Sequence, residues 1–133
     1  MSQANVGLVR RLNDVFNEHS FVENADLLDP DMVWDMSHVG LPDAASFTGH
    51  LGVLGFLNTL TESFASEHID AEDIVDSGDQ VLVMVRLSGR GRTSGIDVDQ
   101  RFAMVWTLRD GRAIRMDMYL TRDEGLKAVG LEE

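Results

Sequence analysis

Apolar residues recur at helical spacing in two stretches of this chain. The first stretch predicts a helix over residues 5–19 and the second a helix over residues 50–65, because apolar positions three and four residues apart form one stripe on a helix. A short helix is also expected over residues 22–28, ending before Pro30, since the residue before a proline is disfavoured in a helix. The stripes consist of Val6, Val9, Leu12, Val15 and Phe16, and of Val53, Leu54, Leu57, Leu60, Thr61 and Phe64.

In the second half of the chain apolar and polar residues alternate, which is typical of strands. Two turn signals separate the alternating stretches, at residues 77–79 and at the aspartate–glycine pair 110–111, which favours a hairpin. Residues 37–49 and 89–95 contain several glycines and are expected to form a loop and a hairpin tip. The predicted strands are residues 32–35, 68–76, 80–88, 98–108 and 113–120.

A last helix is expected over residues 121–129. Thr121 and Glu124 have the spacing of a capping box, and Gly130 follows as a stop signal. Helices therefore come first and antiparallel strands in short hairpins follow, so the predicted fold class is α+β. We find no repeat and no linker, and residues 1–133 are predicted to form a single domain.

Composition and charge exclude several kinds of partner. The chain has 23 acidic and 11 basic residues, a net charge of −12. Nucleic acids and anionic membranes bind basic surfaces, so neither is an expected partner. The absence of cysteine excludes disulfides and thiolate chemistry. No apolar run reaches the length of a membrane span, and residues 1–16 lack the apolar core of a secretory signal, so a cytoplasmic location is expected.

Four stretches of the sequence together form a familiar pattern: VWDMSHVG, FTGHLGVLGFL, SGDQVLVMVRLSGRGRTSG and FAMVWTLRDGRAIRMDMYLTRDEGLKAVGL. They resemble the nuclear transport factor 2-like superfamily, which includes SnoaL-like polyketide cyclases and ketosteroid isomerases. The resemblance implies a cone-shaped, curved antiparallel sheet wrapped around the N-terminal helices, a cystatin-like α+β barrel. It implies no particular reaction, because this fold supports many chemistries.

The resemblance implies a catalytic role for Asp35, which follows Trp34 where ketosteroid isomerases have their general base. Burial beside Trp34 is expected to raise the pKa of Asp35 and suit it to proton transfer. A structural alternative is an ion pair with Arg86 or Arg101, or a turn capped by the carboxylate. The isomerase oxyanion positions fall on Asn13 and Ala103, which lack the required groups, so steroid isomerisation is not expected.

The resemblance also implies which residues line a cavity. His38, three residues after Asp35, is a second catalytic candidate, with an exposed loop histidine as the alternative. Arg86 is a candidate for gripping a substrate oxygen, with an interior ion pair as the alternative. The predicted substrate-binding residues are Asn13, Phe16, Trp34, Leu57, Met84, Arg86, Arg101, Ala103, Val105, Met116 and Met118.

We therefore expect a protein that binds a small apolar or polycyclic molecule. It would be a cofactor-independent isomerase, cyclase or dehydratase with Asp35 as acid/base, or alternatively a ligand carrier, a sensor or an accessory dimerisation domain. No cofactor is expected, and no metal, because the histidines lack the spacing of a metal motif. Strand alternation places Val81, Val83, Val85, Phe102 and Met104 on the outer face of the sheet, which predicts a homodimer through that face.

Overall fold

The computed structural model describes residues 2–39 and 46–131. In these ranges the helices are α1 (Ser2–Glu18), α2 (Gly49–Ser63) and α3 (Arg122–Ala128), with 3₁₀ turns at Ala25–Leu27 and Ser37–Val39. The strands are β1 (Leu28–Asp35), β2 (Ser46–Thr48), β3 (Phe64–Ser77), β4 (Gln80–Gly91), β5 (Asp97–Arg109) and β6 (Arg112–Tyr119).

The six strands form one sheet in the order β2-β1-β6-β5-β4-β3. Neighbouring strands are antiparallel, except that β1 and β6 are parallel. The predicted α+β class is confirmed: three helices pack with one curved, unclosed sheet of six strands. The parallel pair brings the early strand β1 beside the last strand, which the hairpin signals in the sequence do not show.

Most predicted elements are confirmed, with two differences. The helix expected over residues 22–28 is wrong: only a 3₁₀ turn forms there, and Leu28 begins β1, fully buried and paired with Ala113. Tertiary packing of this leucine outweighs the weak local helix preference. The predicted loop over residues 37–49 contains the turn Ser37–Val39 and strand β2, and its residues 40–45 lie outside the described ranges.

Two local signals do form the predicted structures. Asp110 and Gly111 both have positive φ, 53° and 76°, as a tight hairpin turn requires. At the start of α3, the Thr121 side chain accepts a hydrogen bond from the backbone N–H of Glu124, and Gly130 ends the segment with φ 77°. The β5–β6 hairpin and α3 are therefore specified locally.

The main core lies between α1, α2 and the inner face of the sheet. Val9, Leu12 and Val15 of α1 pack there with inward residues of β4 and β5. A second, smaller core lies on the outer face, where Leu126 of α3 packs on three strand residues. The strand residues of this second core are Leu82, Ala103 and Val105.

A β-bulge at Ile114 determines which residues face inward. Leu108 pairs with Ala113, but the next pair is Thr107 with Arg115, so Ile114 is an extra residue in β6. Met116 and Met118 consequently lie opposite Trp106 and Met104 instead of Val105 and Ala103. Because side chains alternate along a strand, this shift by one residue exchanges the two faces of β5 and β4 relative to β6.

The expected inward orientation of five residues is therefore wrong. Ala103, Val105 and Met84 pack in the outer core beneath or beside α3, and Arg86 and Arg101 follow the same alternation on the outer face. The valines at 81, 83 and 85 point into the main core instead. Helix α3 covers part of the outer face, and these three valines do not lie on it. The valines therefore do not support a dimer through that face, and the homodimer stays a prediction.

In the described part of the chain, no helix combines the length and apolar character needed to cross a membrane.

Candidate functional site

An apolar cavity of about 180 Å³ lies between the helices and the inner face of the sheet. The helices contribute Phe16, Phe56 and Leu60, and β1 contributes Trp34, followed by Met36. The remaining wall consists of Ile69, Val85, Leu87, Phe102, Met104 and Met118. The wall is therefore built almost entirely from carbon and methionine sulfur.

Trp34 lines the cavity and carries a buried indole N–H. Its side chain is buried, and among the described residues its Nε1 atom has no hydrogen-bond partner. The indole ring meets Trp106 edge-on, with ring centroids 5.6 Å apart. The edge-to-face contact with Trp106 restricts the orientation of the Trp34 ring, as is common for aromatic pairs in a core.

The structure places the predicted substrate-binding residues in three groups. Phe16, Trp34 and Met118 line the cavity. Leu57 lines a neighbouring cleft of about 90 Å³, Asn13 lines a hollow of about 10 Å³, and Met116 is fully buried in the main core. The other five predicted residues are those on the outer face.

Sequence reasoning missed most of the cavity wall. It assigned Val85, Phe102 and Met104 to the outer face, because the bulge at Ile114 has no clear sequence signal. Five other wall residues were not predicted, because an apolar side chain is equally suited to fill a core and to line a cavity. These five are Met36, Phe56, Leu60, Ile69 and Leu87.

Asp35 lies at the end of β1 and points away from the cavity. Trp34 pairs with inward Met116, whereas Asp35 pairs with Asp117 on the outer face. The Asp35 carboxylate accepts hydrogen bonds from the Ser37 backbone N–H at 2.7 Å and from Arg115 Nη2 at 2.8 Å. The structure thus supports the structural alternative, an ion pair with a turn cap, although the partner is Arg115 and not Arg86 or Arg101.

The electrostatic environment of Asp35 also differs from the expectation. Burial alone would raise the pKa of Asp35, but the hydrogen bonds from Ser37 and the nearby charges of His38 and Arg115 outweigh it and lower the pKa below its ordinary value. The expected raised pKa is therefore wrong. An ionised carboxylate with a lowered pKa is a weak base.

Asp35 belongs to a polar group that we call the Asp35 cluster: Asp35, His38, Arg115, Asp117 and Tyr119. Arg115 joins the two carboxylates, since it also donates from Nε to Asp117 Oδ2 at 2.9 Å. His38 Nε2 lies 3.7 Å from Asp117 Oδ1, and its ring stacks on Tyr119 with centroids 4.5 Å apart. Burial, reinforced by the charge of Asp117, raises the pKa of the Tyr119 hydroxyl, so this group is protonated at neutral pH.

Three residues of the cluster have the donor atoms of a divalent metal site. One ligand atom each from Asp35, His38 and Asp117 lies within 4.8 Å of the others. Nitrogen and carboxylate ligands of this kind suit several divalent metals. Arg115 already provides one cation that both carboxylates share. The spacing of histidines along the sequence does not reveal this group, because Asp117 lies far from Asp35 and His38 in the chain.

The two arginines predicted to grip a substrate have acidic partners on the outer face. Arg86 forms a bidentate pair with Asp99, with Nη2 to Oδ2 at 2.6 Å, and Arg101 Nε lies 2.7 Å from Glu72 Oε1. Neither lines the cavity. A carboxylate that does lie on the inner face, Glu67 of β3, was not selected, because the predicted strand began one residue after it.

The fold and the apolar cavity define a cone of the nuclear transport factor 2-like superfamily, which confirms the resemblance. The chain belongs to the SnoaL-like domain family, whose sequence model matches residues 9–116. No curated protein sequence matches the chain.

Several solved structures share the fold of this chain. A protein from Jannaschia sp. CCS1, assigned as a SnoaL-like polyketide cyclase, is 22% identical with a TM-score of 0.77, over 99% of this chain and 95% of that one. A nuclear transport factor 2-like protein of unknown function from Burkholderia pseudomallei is 21% identical with a TM-score of 0.75, over 96% and 98%. TerC, co-crystallised with polyporic acid, is 21% identical with a TM-score of 0.74, over 95% and 98%. At these identities the likeness shows the fold alone.

Proposed function

We propose that this protein binds a small apolar molecule in the cavity between α1, α2 and the sheet. The observation that carries the proposal is a cavity of about 180 Å³ with an apolar wall. An engineered apolar cavity of about 150 Å³ binds benzene, so this volume is enough for a single aromatic ring with a short substituent. Methionines at three places in the wall adapt to ligands of different shape.

The relatives support a small organic ligand. TerC was co-crystallised with polyporic acid, and other proteins of this fold are assigned as polyketide cyclases. A carrier or sensor needs only the cavity, which this chain has. The coarse class, a small-molecule-binding member of a cyclase and isomerase family, follows from the family match.

Toluene titrated into the protein tests the binding proposal by isothermal calorimetry. Leu60→Trp fills the cavity from α2 and is expected to weaken toluene binding at least tenfold. Leu51→Trp is the matched control, because Leu51 lies on the same helix but is 92% exposed. Equal affinities of the two variants, or no binding to the original chain, would contradict the proposal.

A second candidate is a cyclase- or isomerase-type reaction at the Asp35 cluster. In it Asp35, ionised because its pKa is lowered, acts as the base, and His38 lies beside it. The observation that favours it is the convergence of Asp35, His38 and Asp117 at the end of β1. Met36 and Met118 are the chain neighbours of Asp35 and Asp117, and both line the cavity. A substrate would have to extend from the cavity around this edge to meet the cluster.

Native mass spectrometry after incubation with a cell extract tests the second candidate. A retained compound of defined mass becomes the trial substrate, and its conversion is compared in the original chain and in Asp35→Asn. Loss of conversion with retained binding supports the reaction. Unchanged conversion in Asp35→Asn excludes Asp35 as the acid/base. The same spectrum reports whether the protein is a homodimer.

A further inference from the structure

Phe16 lies between the cavity and the neighbouring cleft of about 90 Å³. Among the described residues, Phe16 alone lines both spaces. Every residue of the cavity wall is buried or half-buried, whereas the cleft is lined at its edge by Val22, which is 73% exposed. The cleft is therefore the space into which a molecule longer than the cavity would extend on its way to solvent.

Helix α2 borders both spaces. Phe56 and Leu60 line the cavity, and the residues that directly follow them, Leu57 and Thr61, line the cleft. The cavity and the cleft thus lie side by side along α2. The side chain of Phe16, from α1, supplies the part of the wall that they share.

Two contacts hold the Phe16 side chain in this place. Its ring meets the buried ring of Phe21 edge-on, with centroids 6.5 Å apart and an angle of 76° between the planes. The next residue, Asn17, forms two hydrogen bonds with the backbone of Ile69, a residue of the cavity wall. An edge-to-face aromatic contact restricts the orientation of a ring, so Phe16 forms a fixed partition.

The sizes of the two spaces make this partition matter for the ligand. The cavity of about 180 Å³ has room for one aromatic ring with a short substituent. The cleft is suited to a longer chain, because Leu54 and Leu57 provide apolar contacts there, and Asn58 and Thr61 provide polar groups for a terminal hydroxyl. In the original chain the Phe16 ring keeps such a molecule out of the cleft.

We propose that Phe16 sets the length limit of the ligand site. The protein thereby selects a compact molecule with a single aromatic ring and excludes a molecule with a long chain, because the Phe16 ring blocks the way from the cavity into the cleft. Phe16 is thus a specificity-determining residue, and the other residues of the wall supply apolar contacts. This inference rests on the proposed binding function.

Calorimetry with toluene and phenylhexanol tests the inference. Toluene needs only the cavity, whereas phenylhexanol is a benzene ring with a long chain that ends in a hydroxyl group. The original chain is expected to bind toluene well and phenylhexanol weakly. Phe16→Ala is expected to raise phenylhexanol affinity about tenfold or more, because the chain then buries methylene groups in the cleft. If Phe16→Ala does not fold, Phe16→Leu, which removes less of the side chain, is expected to give a smaller gain.

Two further variants show whether the gain comes from the cleft. Phe56→Ala is the matched control, because it removes the same ring from the cavity wall at a position that does not line the cleft. It is expected to raise phenylhexanol affinity less than Phe16→Ala does. The double variant Phe16→Ala with Asn58→Trp fills the cleft from its exposed side and is expected to lose the gain.

The outcomes separate the two proposals. If toluene does not bind the original chain, the cavity proposal is wrong and the Phe16 inference falls with it. If toluene binds the original chain but truncation of Phe16 brings no gain for phenylhexanol, the cavity proposal stands and the Phe16 inference is wrong. An equal gain in Phe56→Ala also overturns the inference, because any enlargement of the cavity then suffices. A gain that persists in the double variant overturns it too, since the chain of the ligand then does not enter the cleft.

Discussion

The Asn17 side chain forms a pair of hydrogen bonds with the backbone of Ile69. Asn17 Nδ2 donates to the carbonyl oxygen of Ile69 at 2.9 Å, and the Ile69 N–H donates to Asn17 Oδ1 at 2.8 Å. Strand β3 is at the edge of the sheet, so its outer backbone groups have no neighbouring strand. The amide of Asn17 provides these contacts and attaches α1 to a residue of the cavity wall.

We predict that Asn17→Ala lowers the free energy of unfolding by about 1–3 kcal/mol. It leaves the Ile69 N–H without its partner and leaves the Ile69 carbonyl with only the longer bond from Asn13 Nδ2, at 3.3 Å. Urea denaturation measures the loss, and hydrogen exchange at the Ile69 amide should accelerate locally. Asn58→Ala is the control, because Asn58 is exposed and its side chain bonds to Glu62 within one helix. A change below about 0.5 kcal/mol in Asn17→Ala would show that water replaces these bonds freely.

The Asp35 cluster gives a second prediction. Arg115→Gln leaves Asp35 and Asp117 close together without their shared cation, and their side chains are only 14% and 11% exposed. We expect the free energy of unfolding to fall by about 1–3 kcal/mol, less than for a fully buried pair because Arg115 is itself 41% exposed. Thermal and urea denaturation measure it.

Arg90→Gln is the matched control for Arg115→Gln. Arg90 pairs with Asp97 at 2.9 Å, but both side chains are more than half exposed. Such pairs contribute roughly 0–1 kcal/mol. Equal effects of the two substitutions would mean that the cluster is no stronger than an ordinary surface ion pair.

The sequence predicts where the helices and strands lie better than it predicts which strand residues point to the inner face of the sheet. Hairpin turns and the capping box are local, so Asp110, Gly111 and Thr121 reveal them directly. The face of each strand depends on register, and the extra residue Ile114 changes the register without a glycine or proline to mark it. One bulge therefore reverses the inferred orientation of residues on β4 and β5.

The partner of Asp35 could not be predicted for a related reason. Arg115 is 80 residues away in sequence and reaches Asp35 only because β1 and β6 are parallel neighbours. Parallel pairing is set by the tertiary fold, and no hairpin signal reports it. The sequence indicates that Asp35 lies at the end of a strand, but it does not indicate that Arg115 is its partner.

Two glycines with different surroundings give a third prediction. A Cβ atom at Gly89 would collide with the backbone carbonyl oxygen of Ser66, whereas a Cβ at Gly55 of α2 would meet nothing within 4 Å. Gly89→Ala is expected to lower the free energy of unfolding by about 1–3 kcal/mol. Gly55→Ala should raise it by about 0.5–1 kcal/mol, because alanine favours a helix more than glycine does. Urea denaturation of both variants measures the difference, and stabilisation of Gly89→Ala would contradict the close approach of β3 and β4.

The last prediction concerns the pH dependence of stability, which Glu67 should influence. Its pKa in the folded chain is raised above the ordinary value of 4.5, chiefly by burial. Between the unfolded and the folded pKa the folded state therefore binds more protons than the unfolded state. The free energy of unfolding consequently falls as pH rises through this window, and the contribution is fully present only below the unfolded pKa.

Glu67→Gln removes this titration and keeps a side chain of nearly the same shape. Relative to the original chain, the variant should become progressively more stable as the pH is raised from about 4 to about 7. Guanidinium denaturation at several pH values measures the difference, and Glu23→Gln controls for the loss of one negative charge at an exposed position. If Glu67→Gln instead loses relative stability as pH rises, the contact with His19 outweighs burial, and Glu67 is ionised in the folded chain.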